Sequence, residues 1–291
     1  MTGGEKKGKW ISLYIYGDPQ SRWLLELFLR WRYFPETSGL SNPFFVRYAD
    51  ARGPHIRVRA RLQSPSIGLR QAHSRLESVI RERSHETGSR PRRLCIRVVR
   101  YRAEVGRYGG SHALGAAEAL FSASSFFVVQ ALSSFAHPLT GLATVIVMNR
   151  LFVEALAANR INTAALFAFA TQARVSVAQK LGVRMRVEDF IAHGEKNIGD
   201  FNRLIELFSE KLARLRPGAH GWQKACERYT KEVGAIGWCG PVLGRDTGKA
   251  KAARAFVAWE SIMHMNANRC GLNIIDECGA LALASLIYGK I

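Results

Sequence analysis

The stretch Pro54–Leu62 puts arginine at every second position: Arg57, Arg59 and Arg61, with His55 in the same phase. Successive side chains of an extended strand point to opposite faces, so these four share one face. Ile56, Val58, Ala60 and Leu62 take the other. Guanidiniums at that spacing repel one another, so the face calls for an anion. Planar guanidinium forks hold carboxylates bidentately, and a carboxylate-bearing substrate is the chemistry they suggest. The plain alternative is a solvated basic strand. Two further constellations carry chemistry. In "YRAEVGRYGG" (101–110), Glu104 and Arg107 stand three apart, beside Tyr108, at a strand-to-helix junction. Gly109 and Gly110 allow a tight turn there, and an internal Glu104–Arg107 pair is the plain alternative. In "HMNANR" (264–269), helical spacing puts His264 and Asn268 on one face, with Met265 and Arg269 on the neighbouring stripe. Histidine titrates near neutrality and suits a proton carrier, although most helical histidines are ordinary core or surface residues.

The elements that must position these residues are legible in outline. "WISLYIYG" (10–17) alternates as a half-buried strand. "DPQSRWLLELFLRWRYF" then offers Asp18 as N-cap, Pro19 at the first helical position, and Trp23, Leu24, Leu27, Phe28 and Trp31 at helical spacing. "PFFVRYA" (43–49) and "HIRVRARL" (55–62) read as strands joined by a turn at "DARGP". Residues 66–86 form a polar, Arg-rich helix burying Ile67, Leu69, Leu76, Val79 and Ile80, and 92–105 supply a fourth strand. That order, β-α-β-β-α-β, is ferredoxin-like. Both helices would cover one sheet face, leaving Tyr14, Tyr16, Arg47, Arg57, Arg59 and Arg97 on the other, depending on register. From Gly109 onward long helices dominate: 111–135, 142–181, 185–215, 219–234 and a closing pair ending at Tyr288, with a Gly-rich loop at 234–251. The expected fold class is therefore α+β. A ferredoxin-like antiparallel sheet (1–108) is followed by, and packed against, a mainly helical C-terminal half (109–291), partly over the arginine face.

Composition narrows the function classes. The formal charge is +19 over 291 residues, which favours anionic partners without choosing among them. Five cysteines, odd in number and without a C-x-x-C pair, argue against a disulfide framework or structural zinc and for a reducing cytoplasm. The N-terminus shows no apolar signal core. The apolar stretches 113–136 and 141–158 are interrupted by Glu118, Ser122, Ser124, Ser125, Arg150 and Glu154, which suits buried helices and no membrane span. "GAIGWCGPVLG" does not follow a strand as G-x-G-x-x-G would, so neither nucleotide nor flavin is expected, and no metal.

"WISLYIYG", "FFVRYADARGPHIRVR", "YRAEVGRYGG" with "AEALF", and "HMNANRCG" occur in this order across nearly the whole chain. In these landmarks the sequence resembles the C-terminal, glutamate-eliminating domain of lanthipeptide dehydratases, a family that includes free-standing thiopeptide proteins and [4+2] pyridine synthases. The resemblance implies maturation of a ribosomally made peptide without a cofactor. In one branch a glutamylated Ser or Thr loses glutamate to give a dehydroamino acid. In the other, two dehydroalanines undergo a formal [4+2] aza-cycloaddition, with loss of water and leader. Carried over, Arg57, Arg59 and Arg107 hold the glutamyl group and the developing oxyanion, His264 carries the proton, and Glu104 orients an arginine or acts as a second acid/base. His55, Arg47, Tyr108, Asn268 and Arg269 are the implied substrate contacts. The retained Arg-x-Arg, Glu-x-x-Arg-Tyr-Gly-Gly and His-Met-x-x-Asn-Arg elements favour elimination. One departure favours the other branch: Ser124-Ser125 stands where the family commonly has Asp-Ser. The implied partners are a precursor with an acidic leader and a glutamylating dehydratase subunit. An RNA-binding sheet is the main rival from another class, but the aromatic-rich RNP1 pattern is absent. A non-catalytic scaffold is the other.

Overall fold

The computed structural model describes residues 10–16, 39–63, 68–86, 95–108, 110–134, 139–157, 163–214, 227–232 and 249–288. The chain divides into two compact units, Met1–Ala103 and Glu104–Ile291.

The first unit holds strands β1 (Trp10–Tyr16), β2 (Leu40–Asp50), β3 (Gly53–Leu62) and β4 (Cys95–Val98), with helix α1 (Leu69–Glu86). The strands form one antiparallel sheet in the order β2-β3-β1-β4. Period-2 patterning decides its faces. Ile11, Leu13, Ile15, Phe45, Ile56, Val58 and Ala60 are all within 3% of full burial and share one face through the register. Helix α1 packs against β1 and buries Ala72, Leu76 and Ile80, one residue per turn along a single stripe. The helix expected over 18–34 and Ile67 lie outside the described residues, so the architecture seen is an α+β one with a single described helix beside the sheet. Of the expected fourth strand, 92–105, residues 92–94 lie outside the described residues, and the strand ends well before 105. It pairs over Cys95–Val98, gains one more bond from Val99 N–H to the Ser12 carbonyl at 3.0 Å, and then leaves the sheet. Beyond it the Arg107 and Gly110 amides bond back to the Glu104 and Val105 carbonyls, so local turn bonds take the place of ladder bonds.

Asp50 organises the β2–β3 turn: Oδ1 accepts the Arg52 amide at 2.8 Å and Oδ2 the Tyr16 hydroxyl at 2.9 Å. The Arg52 amide, with help from Tyr16, holds the Asp50 carboxyl below its usual range. Gly53 has a φ of +105°, a backbone conformation that favours glycine.

The second unit is helical: α2 (Ser111–Ser134), α3 (Thr140–Ala157), α4 (Thr163–Lys180), α5 (Val187–Arg214), α6 (Lys249–Cys270) and α7 (Ile274–Tyr288). Helix α7 packs on α3, α4 and α5, and α6 on α2, α3 and α4. Ala280 through Ala284 are all buried, which is the pattern of a helix with neighbours on every side. Hydroxyls inside these apolar helices bond back to their own turns. Thr144 donates to Thr140 O, Thr171 to Phe167 O, and both Ser124 and Ser125 to Phe121 O. Among the described residues one helix, Ala113–Ser133, is long and apolar enough to cross a membrane, and 67% of its apolar window is buried inside the protein.

Helices α3 and α6 meet closely at Gly141. A Cβ there would lie 2.8 Å from the Cys270 carbonyl oxygen. Gly141→Ala should therefore destabilise the protein by about 1–3 kcal/mol, lowering the melting temperature by about 2–4 °C per kcal/mol. Gly115→Ala on α2, where a Cβ meets nothing within 4 Å, is the matched control. It should be neutral or stabilising, by up to about 1 kcal/mol.

Candidate active site

The register brings Trp10, Ser12, Tyr14 and Tyr16 of β1 opposite Arg61, Arg59, Arg57 and His55 of β3. Phe44, Val46 and Tyr48 of β2 flank Arg59, Arg57 and His55 from the other side, and Arg97 stands opposite Tyr14. The arginines do not simply repel one another, because aromatic rings separate and hold them. Arg57 lies 3.4 Å from the Tyr48 ring centroid and 4.5 Å from that of Tyr14. Its Nε donates to His55 Nε2 at 3.2 Å. Arg59 lies over Tyr101 at 4.9 Å and Phe44 at 5.6 Å, and its buried Nε has no hydrogen-bond partner among the described residues.

Two expectations on this sheet are corrected. Arg47 stands opposite Ile56, so it projects from the apolar face, away from Arg57. Alternation along β2 puts Phe44, Val46 and Tyr48 on the arginine side, and Arg47 falls between them. His55 is wholly buried, packed against the Tyr14, Tyr16 and Tyr48 rings. It braces Arg57 from below and has no surface of its own to offer.

In the helical unit Glu104 and Arg107 form a 2.7 Å ion pair, with about half of each side chain exposed. This is the internal pair that the spacing allowed. Burial opposes the Arg107 charge, but Glu104 beside it, then Tyr108 and Glu260, raise the guanidinium's pKa. Burial, and next the Glu104 charge, push the Tyr108 phenol up while Arg107 and Arg269 pull the other way. Tyr108 is buried and meets Phe121 edge-on. Arg269 is fully buried, its guanidinium 5.1 Å above the same Phe121 ring. It underlies the Tyr108 corner and is closed to solvent.

Helix α6 carries Glu260, His264 and Asn268 four residues apart, on one stripe. His264 is 30% exposed, and its Nδ1 lies 2.9 and 3.1 Å from the two carboxylate oxygens of Glu277, which is itself 5% exposed. Arg174 of α4 bridges Glu260 at 3.0 Å and Glu277 at 3.7 Å. The segment 227–232 is tied to α6 where Asn266 donates to the Tyr229 hydroxyl at 2.8 Å.

Sequence reasoning found His264 but missed Glu277, Glu260 and Arg174. Glu277 carried a signal of a different kind. Asn273 caps α7 by accepting the Ile275 and Asp276 amides, so an acidic residue in that first turn reads as a helix-dipole partner. Among the described residues no group of three or more His, Cys, Asp or Glu is arranged to hold a metal.

A family model for the lantibiotic biosynthesis dehydratase C-terminal domain matches residues 10–288. The chain belongs to that family. This agrees with the sequence resemblance. A search of curated proteins found no match. Among solved structures the family fold is shared with the tRNA dependent lantibiotic dehydratase MibB from Microbispora sp. 107891, at a TM-score of 0.63 and 19% identity. That match covers 98% of this chain but 28% of MibB, so this family member spans under a third of that enzyme's length. TsrL matches at a TM-score of 0.57 and 12% identity over 97% of this chain and 95% of its own. The pyridine synthase TbtD, from thiomuracin biosynthesis, aligns at a TM-score of 0.48 and 17% identity, over 97% of this chain and all of TbtD.

Proposed function

We propose that this family member matures a ribosomally made peptide by eliminating glutamate from glutamylated Ser or Thr. The observation that carries the reading is His264: a partly open imidazole on a buried carboxylate, in a chain that matches the dehydratase C-terminal family over 10–288. In the reaction a base removes the Cα proton, the Cα–H electrons form the Cα=Cβ bond, and the Cβ–O pair leaves with glutamate as its carboxylate. His264 carries the proton. Arg57 and Arg59, fixed on their aromatic rings, bind the free carboxylate of the glutamyl group and the ester carboxyl that leaves as a carboxylate. Arg107, with Tyr108 as a neutral donor, supplies positive charge for the developing enolate, and Glu104 orients Arg107. No step requires a redox cofactor. The formal charge of +19 steers an acidic leader towards the protein. A glutamylating dehydratase supplies the substrate, and the cytoplasm is the compartment.

The second reading is [4+2] cycloaddition. It is favoured by Ser124-Ser125, where the family commonly carries Asp-Ser. Both serines are buried, with their hydroxyls on the Phe121 carbonyl, so a carboxylate's place in the interior has been given to neutral groups.

Mass spectrometry of two peptides separates the readings. A precursor carrying glutamylated serines should lose glutamate when treated with the protein. A second peptide, with dehydroalanines beside azole rings, should stay intact. An inert first sample, with loss of water and leader from the second, would establish the cyclase instead. Silence from both would leave the scaffold and RNA-binding readings standing.

A further inference from the structure

We infer that Glu277 is a positioning residue that locks His264 in the Nδ1–H tautomer, leaving Nε2 as the atom that takes the substrate proton, with Arg174 holding Glu277 in place. The inference deepens, and rests on, the reading of His264 as proton carrier.

The chemistry of the contact dictates the tautomer. An ionised carboxylate only accepts hydrogen bonds. Both Glu277 oxygens lie within 3.1 Å of Nδ1, so Nδ1 must be the donor and the lone pair of a neutral ring must sit on Nε2. Burial makes the contact selective. Glu277 is 5% exposed and His264 30%, so the carboxylate faces inward and the open part of the pair is the imidazole. A carboxylate placed so deep needs a cation, and Arg174 provides it at 3.7 Å, with its Nε also 3.0 Å from Glu260 as an ion pair outside hydrogen-bond geometry. Glu260 stands one turn before His264 on α6, and Glu277 stands on α7. The guanidinium of α4 thus ties together the two helices that carry the histidine and its carboxylate. The geometry is that of an oriented base, in which the second residue acts through the first.

The test is made on the full chain, with 15N-labelled histidine and NMR at a pH where the imidazole is neutral. The His264 signals are assigned by their loss in His264→Gln. The expected spectrum shows a protonated Nδ1 and a bare Nε2. Glu277→Gln, whose amide can donate as well as accept, should shift the ring towards the other tautomer. It should lower kcat for glutamate loss about 100-fold or more with KM unchanged. Glu277→Asp, which keeps an acceptor-only group, should restore the tautomer and part of the rate. Arg174 keeps Glu260 as a partner in both variants, so melting temperatures should stay near wild type. A wild-type ring protonated at Nε2, or a Glu277→Gln variant with an unaltered spectrum, would overturn the inference. The spectrum needs no substrate. The expected tautomer with a fully active His264→Gln would overturn the reading of His264 as proton carrier and leave the positioning contact intact.

Discussion

His264→Ala should lower the turnover of a glutamylated precursor by about two to four orders of magnitude while leaving its KM nearly unchanged. The direction follows from what the imidazole touches. Its Nδ1 is engaged by Glu277, and the ring is the partly exposed member of a pair whose other member is buried. Removing it deletes the proton carrier without deleting any group assigned to substrate binding. The fold should survive, because Glu277 keeps the Arg174 guanidinium at 3.7 Å and is not left as an uncompensated buried charge. Melting temperature and helical circular dichroism therefore act as the internal control. A variant that folds normally and retains more than about a third of the wild-type rate would show that the proton travels by another route. One that melts far below wild type would show instead that the dyad is structural.

Arg57 should behave differently, and its signature should be in KM. The guanidinium is held between the Tyr48 and Tyr14 rings, with Nε on His55, which leaves its terminal nitrogens for a ligand. Each charged hydrogen bond to a carboxylate contributes about 1.5–3 kcal/mol, so Arg57→Ala should raise KM about 10- to 150-fold. Arg57→Lys should rescue little of that loss. An ammonium is a compact point charge without the planar fork, and it does not stack between two rings as a guanidinium does. Steady-state kinetics on a glutamylated precursor, with a binding measurement on the same peptide without glutamate, would decide the matter. The affinity loss should be confined to the glutamylated form. Equal loss for both peptides would make Arg57 a contact for the leader or backbone. A fall in melting temperature with no change in KM would make the ring-stacked arginine a purely structural brace, which two cation–π contacts of about 0.5–2 kcal/mol each could support.

Much of the architecture could be read without coordinates, because short-range patterns specify short-range structure. The alternation in "WISLYIY" and "HIRVRARL" defines two strands and their buried faces. Leu76 and Ile80 mark the buried stripe of α1, and long, mostly apolar runs mark the core helices of the second unit. The phase of Arg57 and Arg59 relative to Ile56 and Val58 is a property of β3 alone, so the arginine face was visible in the sequence. Arg47 was misplaced because its face depends on the phase of a different strand. That phase becomes known only when the register sets Val46, not Arg47, against Arg57. The fourth strand was overextended because nothing in "RVVRYRAEV" marks where ladder bonds give way to turn bonds. The candidate site divides in the same way. Glu104–Arg107 and Glu260–His264 are three- and four-residue spacings, within reach of local reasoning. His264 and Glu277 are joined by a turn between two helices, and Arg174 comes from a third. The sequence by itself determined which side chains could carry charge and protons, and on which stripe or face of its own element each would stand. Tertiary structure alone decided which of those stripes meet, because packing between helices and register between strands are set by the whole core and by no local pattern.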